Sequence, residues 1–430
     1  MTDPPIVVVG AGWSGISAAW AIHTTGRDVL LVDADESLGG RCRLQPLGDT
    51  SVILGGKNIG RRYQHFRAMI TDLDGGQYEH FGLNSTRIGP GGTRTVDDRS
   101  RLASVRRLLA GIPARDVARL LRMVLAVRLD ESNRWLRGPY FRSRAGAKDI
   151  ALAEYFGEAL LASLVRTVTV RMNGAEPEAA YVGNFGANLG MLLDTFDQLT
   201  QGFAGPYSTI ASQVSTRLGH RVVGIEIGAD GATLTLRTPD GAVHQQSASH
   251  VILALTAGDA ATLVKQVAPT AARALGQITY QPAAVVVARH RSNVFTPDIR
   301  ALTFPRGTAL SNAGAYGEAQ LDLVRYTLSG SEARGFLEGQ PHAETLLERA
   351  LSDASTQLPD LVGNDVLDFA SQHWTRALCS YGPRHGDRLD LLEGELRRTP
   401  RLSLAGDYLL GTSLEACCRS GKAAAAAALA

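Results

Sequence analysis

Residues 6–33 read IVVVGAGWSGISAAWAIHTTGRDVLLVD, and this stretch decides the fold. The four β-formers at 6–9 predict a strand that is buried on both faces of a parallel sheet. A glycine-rich turn follows, then a predicted helix over 16–22, and residues 29–32 predict a second buried strand that closes on Asp33. Strand, glycine turn, helix, strand and acidic residue, in this order and at this spacing, are typical of a βαβ unit that binds a dinucleotide.

The turn has the pattern GxGxxG, and each of its glycines has a different physical role. Gly10 permits the tight turn, Gly12 lets backbone N–H groups approach a pyrophosphate, and Gly15 lets the helix pack closely on the strand. Ser14 lies in the same turn, where the partial positive charge of the helix N-terminus favours a diphosphate. Asp33 is placed to accept hydrogen bonds from both ribose hydroxyls. We therefore assign these five residues to the cofactor site.

The residues after Asp33 narrow the type of dinucleotide. Gly39, Gly40 and Arg41 follow it at the spacing found in the flavin-containing amine oxidases and the protoporphyrinogen oxidase-like enzymes, and the chain resembles this superfamily of FAD-dependent oxidoreductases. The resemblance implies that the glycines bring the chain under the diphosphate of FAD and that Arg41 lies near the flavin end. FAD is thus the expected cofactor.

The C-terminal segment carries a second motif of the same superfamily. Residues 401–407 predict a short strand that ends in Gly406-Asp407, and residues 413–424 predict a helix. By resemblance, Gly406 and Asp407 contact the ribityl and diphosphate parts of FAD. The backbone N–H of Leu414, at the start of the helix, is expected to point at the flavin O2 and to stabilise negative charge on the reduced ring.

A middle segment completes the expected flavin domain. Residues 221–227 and 232–237 predict a hairpin, and residues 250–255 predict another buried strand. By resemblance, the backbone near Val222 contacts the adenine.

The predicted fold class is α/β, with a Rossmann-like FAD-binding domain built on the GxGxxG βαβ unit and a discontinuous α+β substrate-binding domain. The FAD-binding domain is expected to comprise residues 1–75, 200–275 and 370–430. The substrate-binding domain is expected to comprise residues 76–199, which are largely helical, and residues 276–369.

Residues 101–137 are basic and have helical periodicity. Their apolar stripe comprises Val117, Leu120, Leu121, Val124 and Val127. Another face carries Arg115, Arg119 and Arg122. The first interpretation is the solvated face of a cap helix. Two others stay open, namely a helix that lies on a membrane surface and a docking site for an acidic carrier protein.

Lys57 is the first candidate for the chemistry itself. Many amine oxidases carry a lysine near the flavin N5 on the strand that here reads AAV at 283–285, and no lysine lies between Lys265 and Lys422. By resemblance, the loop that contains Lys57 runs beside the flavin ring, and Gly56 allows its backbone to approach the ring closely. A lysine there is suited to stabilise anionic reduced flavin or to bind an acidic substrate group. The alternative is a solvated loop lysine.

Tyr381 is the second candidate. In the superfamily, two aromatic residues sandwich an amine in front of the flavin. Ser413 occupies one of these positions here, and Tyr381 is the aromatic residue nearest to the other. Because the aromatic cage is not reproduced, simple oxidation of a monoamine is not expected.

These residues predict an FAD-dependent oxidoreductase that removes a hydride from a CH–NH or CH–CH bond of a small organic, biosynthetic substrate. The alternatives are a desaturase, a redox-neutral flavin isomerase or mutase, and a non-catalytic flavin-binding protein. FAD is expected to be held non-covalently. In the superfamily a covalent flavin is attached through a cysteine from which Cys379 is displaced, and Cys417 and Cys418 lie in the C-terminal helix.

The length and composition of the chain limit the classes of protein and partner that fit this interpretation. A chain of 430 residues is expected to form two or three lobes. Its 44 Lys and Arg nearly balance 42 Asp and Glu, so a nucleic-acid partner is not expected. Four cysteines without a CxxC or HxxxH spacing predict neither a disulfide framework nor a metal site. No run of 18 apolar residues or basic leader segment occurs, which favours a cytoplasmic protein without a transmembrane span. The oligomeric state is left open.

Overall fold

The computed structural model describes residues 3–82, 84–89, 92–358, 361 and 363–430, and these residues form a mixed α/β fold. The strands, in chain order, are β1 (Ile6–Val9), β2 (Val29–Val32), β3 (Leu44–Leu47), β4 (Thr50–Ile53), β5 (Ile59–Gly60), β6 (Tyr78–His80), β7 (Asn84–Gly89), β8 (Gly92–Asp97), β9 (Phe196–Leu199), β10 (Ser215–Arg217), β11 (Arg221–Ile227), β12 (Ala232–Arg237), β13 (Val243–Ala248), β14 (His250–Leu253), β15 (Thr279–His290), β16 (Ala301–Thr303), β17 (Leu310–Ala315), β18 (Leu323–Leu328), β19 (Val366–Ser380) and β20 (Leu402–Leu404). The α-helices are α1 (Trp13–His23), α2 (Gln64–Asp72), α3 (Arg101–Leu109), α4 (Ala114–Leu129), α5 (Pro139–Ala145), α6 (Leu152–Tyr155), α7 (Glu158–Leu160), α8 (Arg166–Asn173), α9 (Phe185–Leu192), α10 (Ala204–Gln213), α11 (Ala257–Val264), α12 (Pro269–Gly276), α13 (Ser331–Glu338), α14 (Ala343–Ser355), α15 (His385–Leu396), α16 (Asp407–Leu410) and α17 (Leu414–Leu429).

A five-stranded parallel sheet in the order β10-β2-β1-β14-β20 carries the first motif. β1 and β2 have the predicted bounds, and all their residues are buried. Val8 pairs with Leu31 on one side and Ile252 on the other, which places β1 at the centre of the sheet. The predicted βαβ unit is confirmed, with α1 beginning at Trp13 because the glycine turn leads directly into the helix.

The C-terminal helix α17 packs against α1 and so brings the two ends of the chain together. The contact is close at Gly421, where an added Cβ would lie 2.1 Å from the backbone oxygen of Ser14. Only a residue without a side chain permits this approach of the two helices. The second motif therefore lies beside the first one.

A seven-stranded sheet in the order β19-β15-β18-β17-β16-β7-β8 forms the second layer. Its neighbours are antiparallel except for β16 and β7. The two faces of β15 differ, as the period of a strand requires. Ala284 and Val286 pack into a core with Leu337 of α13 and Ala350 of α14. The alternate residue Val285 points to the opposite face, where the cavity described below lies.

The predicted middle hairpin is confirmed as β11 and β12, and β13 adds a third antiparallel strand. Val222 is buried in the core beneath this small sheet. Two further small sheets, β3-β4 and β5-β9-β6, connect the layers.

The basic segment 101–137 forms two main helices rather than one. α3 ends at Leu109 and α4 begins at Ala114. Between them Gly111 has a positive φ of 78° and Pro113 occupies the N-cap of α4, and both features interrupt a helix. The buried face of α4 consists of Asp116, Leu120, Met123 and Val127. The predicted stripe was therefore wrong at Leu121, which is 54% exposed, and it omitted Met123.

The proposed division into domains can be compared with the sheets. The parallel sheet takes strands from each of the segments 1–75, 200–275 and 370–430. β19, however, runs through the expected boundary at 369/370, and β5 pairs with β9 across the expected boundary at 75/76. Residues 1, 2, 83, 90, 91, 359, 360 and 362 of the predicted segments lie outside the described residues. The division stays a prediction.

A helix that crosses a bilayer needs about 20 predominantly apolar residues. Within the described part of the chain, no helix is both long enough and apolar enough to cross a membrane.

Candidate functional site

A cavity of about 1720 Å³ lies where the two layers meet. One end is lined by residues that follow the carboxyl ends of β1, β2, β14 and β20, which is where ligands bind in open parallel sheets. The other end is lined by side chains from α3, α4 and α8 and from the seven-stranded sheet. One cavity therefore joins the predicted cofactor site to the predicted substrate lobe.

The glycine turn fits a diphosphate. Gly10 has a φ of +105°, and an added Cβ there would lie 2.4 Å from the backbone oxygen of Ala254. At Gly15 an added Cβ would lie 1.7 Å from the oxygen of Gly10, so this glycine serves the packing of α1 on β1. At Gly12 no described protein atom lies within 4 Å of an added Cβ, and the residue lines the cavity beside Ser14. A side chain at Gly12 would therefore fill ligand space.

Asp33 lies at the end of β2 on the cavity wall. Its Oδ2 accepts a hydrogen bond from the backbone N–H of Ala11 at 2.5 Å, and its Oδ1 accepts one from Asp35 at 2.8 Å. Burial raises the pKa of this carboxyl above its usual value, against the effect of the two backbone hydrogen bonds. Asp33 thus fixes the glycine turn, and its carboxylate keeps acceptor capacity for a ribose.

Arg41 and Asp407 form an ion pair at the cavity wall, with Nη1 and Oδ2 2.8 Å apart. Arg41 also donates to the backbone oxygen of Ala377 at 2.6 Å. The other carboxylate oxygen of Asp407 accepts a hydrogen bond from Tyr280 at 2.5 Å. Gly40 lies directly beside Gly12, where an added Cβ would be 3.3 Å from the Cα of Gly12. The two flavin motifs predicted from opposite ends of the chain therefore meet at one surface.

Tyr381 does not reach this surface. It is 4% exposed and donates a hydrogen bond to the backbone oxygen of Asp407 at 2.9 Å. Of the predicted site residues, the following are among the described residues that line the cavity: Gly10, Gly12, Ser14, Asp33, Gly40, Arg41, Gly56, Lys57, Gly406, Asp407 and Leu414. Gly15, Val222 and Tyr381 are not among them. The structure thus places Tyr381 behind Asp407 and away from the cavity wall.

The start of α17 is held by a residue that the sequence analysis did not single out. Glu415 is fully buried, and its carboxylate accepts hydrogen bonds from the backbone N–H groups of His65 and Phe66. Ser413 caps the helix, with its Oγ accepting from the N–H of Ala416 at 3.1 Å. The expected aromatic position is therefore occupied by a capping serine. The signal in the sequence was the position of Glu415, an acidic residue close to this cap in a helix that is otherwise largely apolar.

Lys57 is buried at 7% exposure, so the alternative of a solvated loop lysine was wrong. Its Nζ donates to Gln198 Oε1 and, at 2.5 Å, to the backbone oxygen of Tyr316. The ammonium also lies 4.2 Å from the ring centroid of Phe81. Burial, followed by repulsion from Arg325, lowers the pKa of Lys57 well below its usual value. A buried lysine with a depressed pKa at a cavity wall is a candidate for function.

Arg325 of β18 fixes the loop that carries Lys57. Its guanidinium donates to the backbone oxygens of Ile53, Leu54 and Gly55 at 3.1, 2.6 and 2.9 Å. Burial lowers the pKa of Arg325 to about 10. The sequence analysis missed this residue, although an arginine within the otherwise apolar strand LVRYTL was a visible signal.

Together, the βαβ unit, the paired motifs and the shared cavity define a dinucleotide-dependent oxidoreductase. The family model for flavin containing amine oxidoreductases matches residues 13–429, and the chain belongs to this family. It is a flavoprotein whose cofactor is FAD. The free space at Gly12 and the cavity-facing Gly40, Arg41 and Asp407 fit that cofactor.

The proteins that this chain resembles are named for different substrates. The chain is 27% identical to a coproporphyrinogen III oxidase of Mycobacterium leprae, over 97% of this chain and 96% of that protein. Its fold is similar to that of cyclohexylamine oxidase from Brevibacterium oxydans IH-35A, with a TM-score of 0.75, 19% identity and 99% of each chain covered. It is also similar to a putrescine oxidase bound to putrescine, with a TM-score of 0.75, 15% identity and 99% and 98% covered. Because the sequence identities are low, these two structural similarities concern the fold alone.

Proposed function

We propose that this protein oxidises a CH–NH or CH–CH bond of a small organic substrate of biosynthetic origin. The observation that carries the proposal is the single cavity in which the FAD-binding motifs and the substrate lobe face each other. When bound, FAD supplies the acceptor for a hydride equivalent. The residues of this chain bind the cofactor, orient the substrate and exclude water from the reacting carbon.

Residues on the cavity wall are suited to these tasks. Gly12 and Gly40 leave room for the diphosphate, and the Arg41–Asp407 pair lies between the two motifs. Arg325 holds the loop that carries Lys57, and the protonated form of Lys57 supplies a positive charge at a buried position. In a dry site such a charge stabilises negative charge more strongly than it does in water.

Two observations favour a bulky substrate over a simple amine. Drug-sized ligands occupy cavities of roughly 300–1,000 Å³, and the cavity of about 1720 Å³ has room for a large ligand besides the cofactor. Ser413 takes the place of an aromatic residue that would enclose an amine. The full-length relative of Mycobacterium leprae is named for coproporphyrinogen III, so this porphyrinogen is the first substrate to test.

The test mixes the FAD-loaded protein with coproporphyrinogen III without oxygen, and separately with cyclohexylamine and putrescine. We expect the visible flavin absorbance to disappear with the porphyrinogen and to persist with the two amines. Admission of oxygen then separates the alternatives. Rapid reoxidation with peroxide formation identifies an oxidase, and reduced flavin that persists in air identifies a desaturase or isomerase. Flavin that no compound reduces would overturn the proposal in favour of a non-catalytic flavin-binding protein.

A further inference from the structure

The substrate end of the cavity is strongly cationic. The basic residues that line it are Lys57, Arg87, Arg94, Arg107, Arg128, Arg171, Arg300 and Arg325. Two acidic residues among the described ones line the same end. Asp97 already pairs with Arg99 at 2.6 Å, and Asp194 lies 3.5 Å from Arg134. The excess of positive charge in a partly enclosed space favours an anionic ligand.

Most of the inner cations are committed to protein groups. Arg325 donates to the loop 53–55, and Arg300 donates to the backbone oxygens of Phe81 and Gly317, each at 3.2 Å. Lys57 donates to Gln198, as described above. Arg87 donates to the backbone oxygen of Ala162. These side chains shape the cavity, and their hydrogen-bonding capacity is largely used.

Arg171 differs from them. It lies on α8 and faces the cavity together with Thr167, Val168 and Met172, which share its side of the helix. Its guanidinium makes no hydrogen bond or ion pair with any described residue, and the side chain is accessible although protein surrounds it, since it faces the cavity. Burial lowers its pKa. Repulsion between Arg171 and Arg325 also contributes to the depressed pKa of Arg325.

Arg166, five residues earlier on α8, shows the contrasting situation. Its guanidinium forms an ion pair with Glu176 at 2.8 Å and donates to the backbone oxygen of Phe304 at 3.3 Å. It lies on the other face of the helix and holds α8 in place. Arg166 is buried and paired, whereas Arg171 is exposed to the cavity and has no partner among the described residues. The N–H donors of Arg171 are therefore free to bind a ligand in the cavity.

We infer that the substrate carries a carboxylate and that Arg171 binds it, as the residue that selects acidic substrates. The planar guanidinium presents parallel N–H donors that match the two oxygens of a carboxylate. The inference rests on the proposed function, because the ligand is assigned to the cavity that serves it. Arg94 and Arg128 line the same cavity and are exposed, as Arg171 is, but Arg171 lies close to the buried Arg325, whose guanidinium holds the loop that carries Lys57.

The test measures binding without turnover, in the FAD-loaded protein. The probe is coproporphyrin III, which carries four carboxylates and is already oxidised, and its comparison is the uncharged tetramethyl ester at the same small content of dimethyl sulfoxide. Quenching of porphyrin fluorescence gives the two dissociation constants. We expect the acid to bind at least about 10-fold more tightly than the ester, as for one charge-assisted contact.

Variants then locate the contact. Arg171→Gln is expected to weaken binding of the acid about 10-fold or more and to leave binding of the ester unchanged, and Arg171→Lys is expected to give an intermediate loss. Arg115→Gln is the matched control, since the side chain of Arg115 is 72% exposed and lies outside the cavity wall. Normal FAD content and an unchanged melting temperature show that each variant is folded.

Two kinds of failure can be distinguished. Equal affinity for acid and ester, binding of neither, or an Arg171→Gln variant with wild-type affinity would overturn the inference, whether or not a substrate reduces the flavin. Selective binding of the acid through Arg171, without flavin reduction by any compound, would leave the inference standing and overturn the proposed function.

Discussion

The Nη1 atom of Arg41 lies 2.8 Å from Oδ2 of Asp407, and this ion pair joins two motifs from opposite ends of the chain. Asp407 is 3% exposed, and its second carboxylate oxygen accepts a hydrogen bond from Tyr280. The packing of α17 on α1 brings the motifs close, and the ion pair fixes their relative position at the cavity wall. The cofactor surface thus depends on a contact that neither motif provides alone.

Asp407→Asn is expected to lower both FAD affinity and the stability of the FAD-free protein. The substitution keeps the shape of the side chain but leaves Arg41 without its counter-charge, which costs about 2 kcal/mol for a partly buried pair. Urea unfolding and FAD titration of the stripped protein measure the two effects. Asp365→Asn is the control, because its ion pair with Arg291 is 64–67% exposed and contributes less than about 1 kcal/mol. Equal losses in both variants would contradict the prediction.

Asp33→Ala is expected to weaken FAD retention by roughly 1–3 kcal/mol, the usual loss for a charge-assisted hydrogen bond. The loss has two sources, since the carboxylate is placed for the ribose and also orders the glycine turn through Ala11. FAD occupancy after dialysis measures the effect. Asp28→Ala serves as the control, because Asp28 is exposed and precedes β2. Wild-type occupancy in Asp33→Ala would remove Asp33 from the cofactor site.

Local patterns in the sequence were sufficient for the parts of the fold that the chain builds from neighbouring residues. The buried strands β1 and β2 and the hairpin β11–β12 each have the predicted bounds, because four apolar β-formers or an alternating run settle a strand locally. The break between α3 and α4 was also readable, from Gly111 and Pro113, but the continuous basic pattern hid it.

The candidate site was less predictable, because its side chains depend on distant partners. Lys57 is buried by Gln198, Tyr316 and Phe81, which come from three other parts of the chain. Most lysines in proteins are exposed, and this general tendency could not predict the buried environment of Lys57. Tyr381 is the aromatic residue nearest to the expected cage position, yet its hydroxyl donates to the backbone oxygen of Asp407 and the residue does not line the cavity.

FAD is expected to be released completely when the protein is denatured. Cys42 and Cys417 line the cavity, and all four cysteines of the chain are free thiols. Burial raises the pKa of Cys417 to about 12, so the thiol stays protonated and is a poor nucleophile at neutral pH. Precipitation with acid, followed by absorbance of pellet and supernatant, measures the outcome. Flavin colour that stays in the pellet would contradict non-covalent binding.

The free energy of unfolding is expected to fall as the pH is lowered from about 6.5 to about 4. His385 is 1% exposed, and burial lowers its pKa to about 4, so the folded protein holds a neutral ring that donates to the backbone oxygen of Tyr408. The unfolded chain has an ordinary histidine pKa near 6.5 and binds a proton first, which favours unfolding across this window by up to about 3 kcal/mol.

Comparison with His385→Gln isolates the contribution of this histidine from that of the carboxylates. A glutamine amide can still donate to Tyr408 but does not titrate. The difference in free energy of unfolding between wild type and variant should therefore shrink or reverse as the pH falls through the window. His250, whose pKa burial also lowers to about 4, retains its own pH dependence in the variant. A difference that is constant with pH would contradict the assignment.

Lys57→Met is expected to retain FAD and to slow flavin reduction by substrate about 10²-fold, comparable to the loss of one electrostatic stabiliser. Methionine fills much of the buried volume of the lysine stem, so the loop stays packed while the charge and its donors disappear. Arg325 still holds the loop through the oxygens of Ile53, Leu54 and Gly55, which keeps the backbone in place. Stopped-flow absorbance without oxygen measures the rate. Lys265→Met, at an exposed position, is the matched control and should reduce at the wild-type rate. An unchanged rate and unchanged substrate affinity in Lys57→Met would show that the lysine only fills the space between Gln198 and Tyr316.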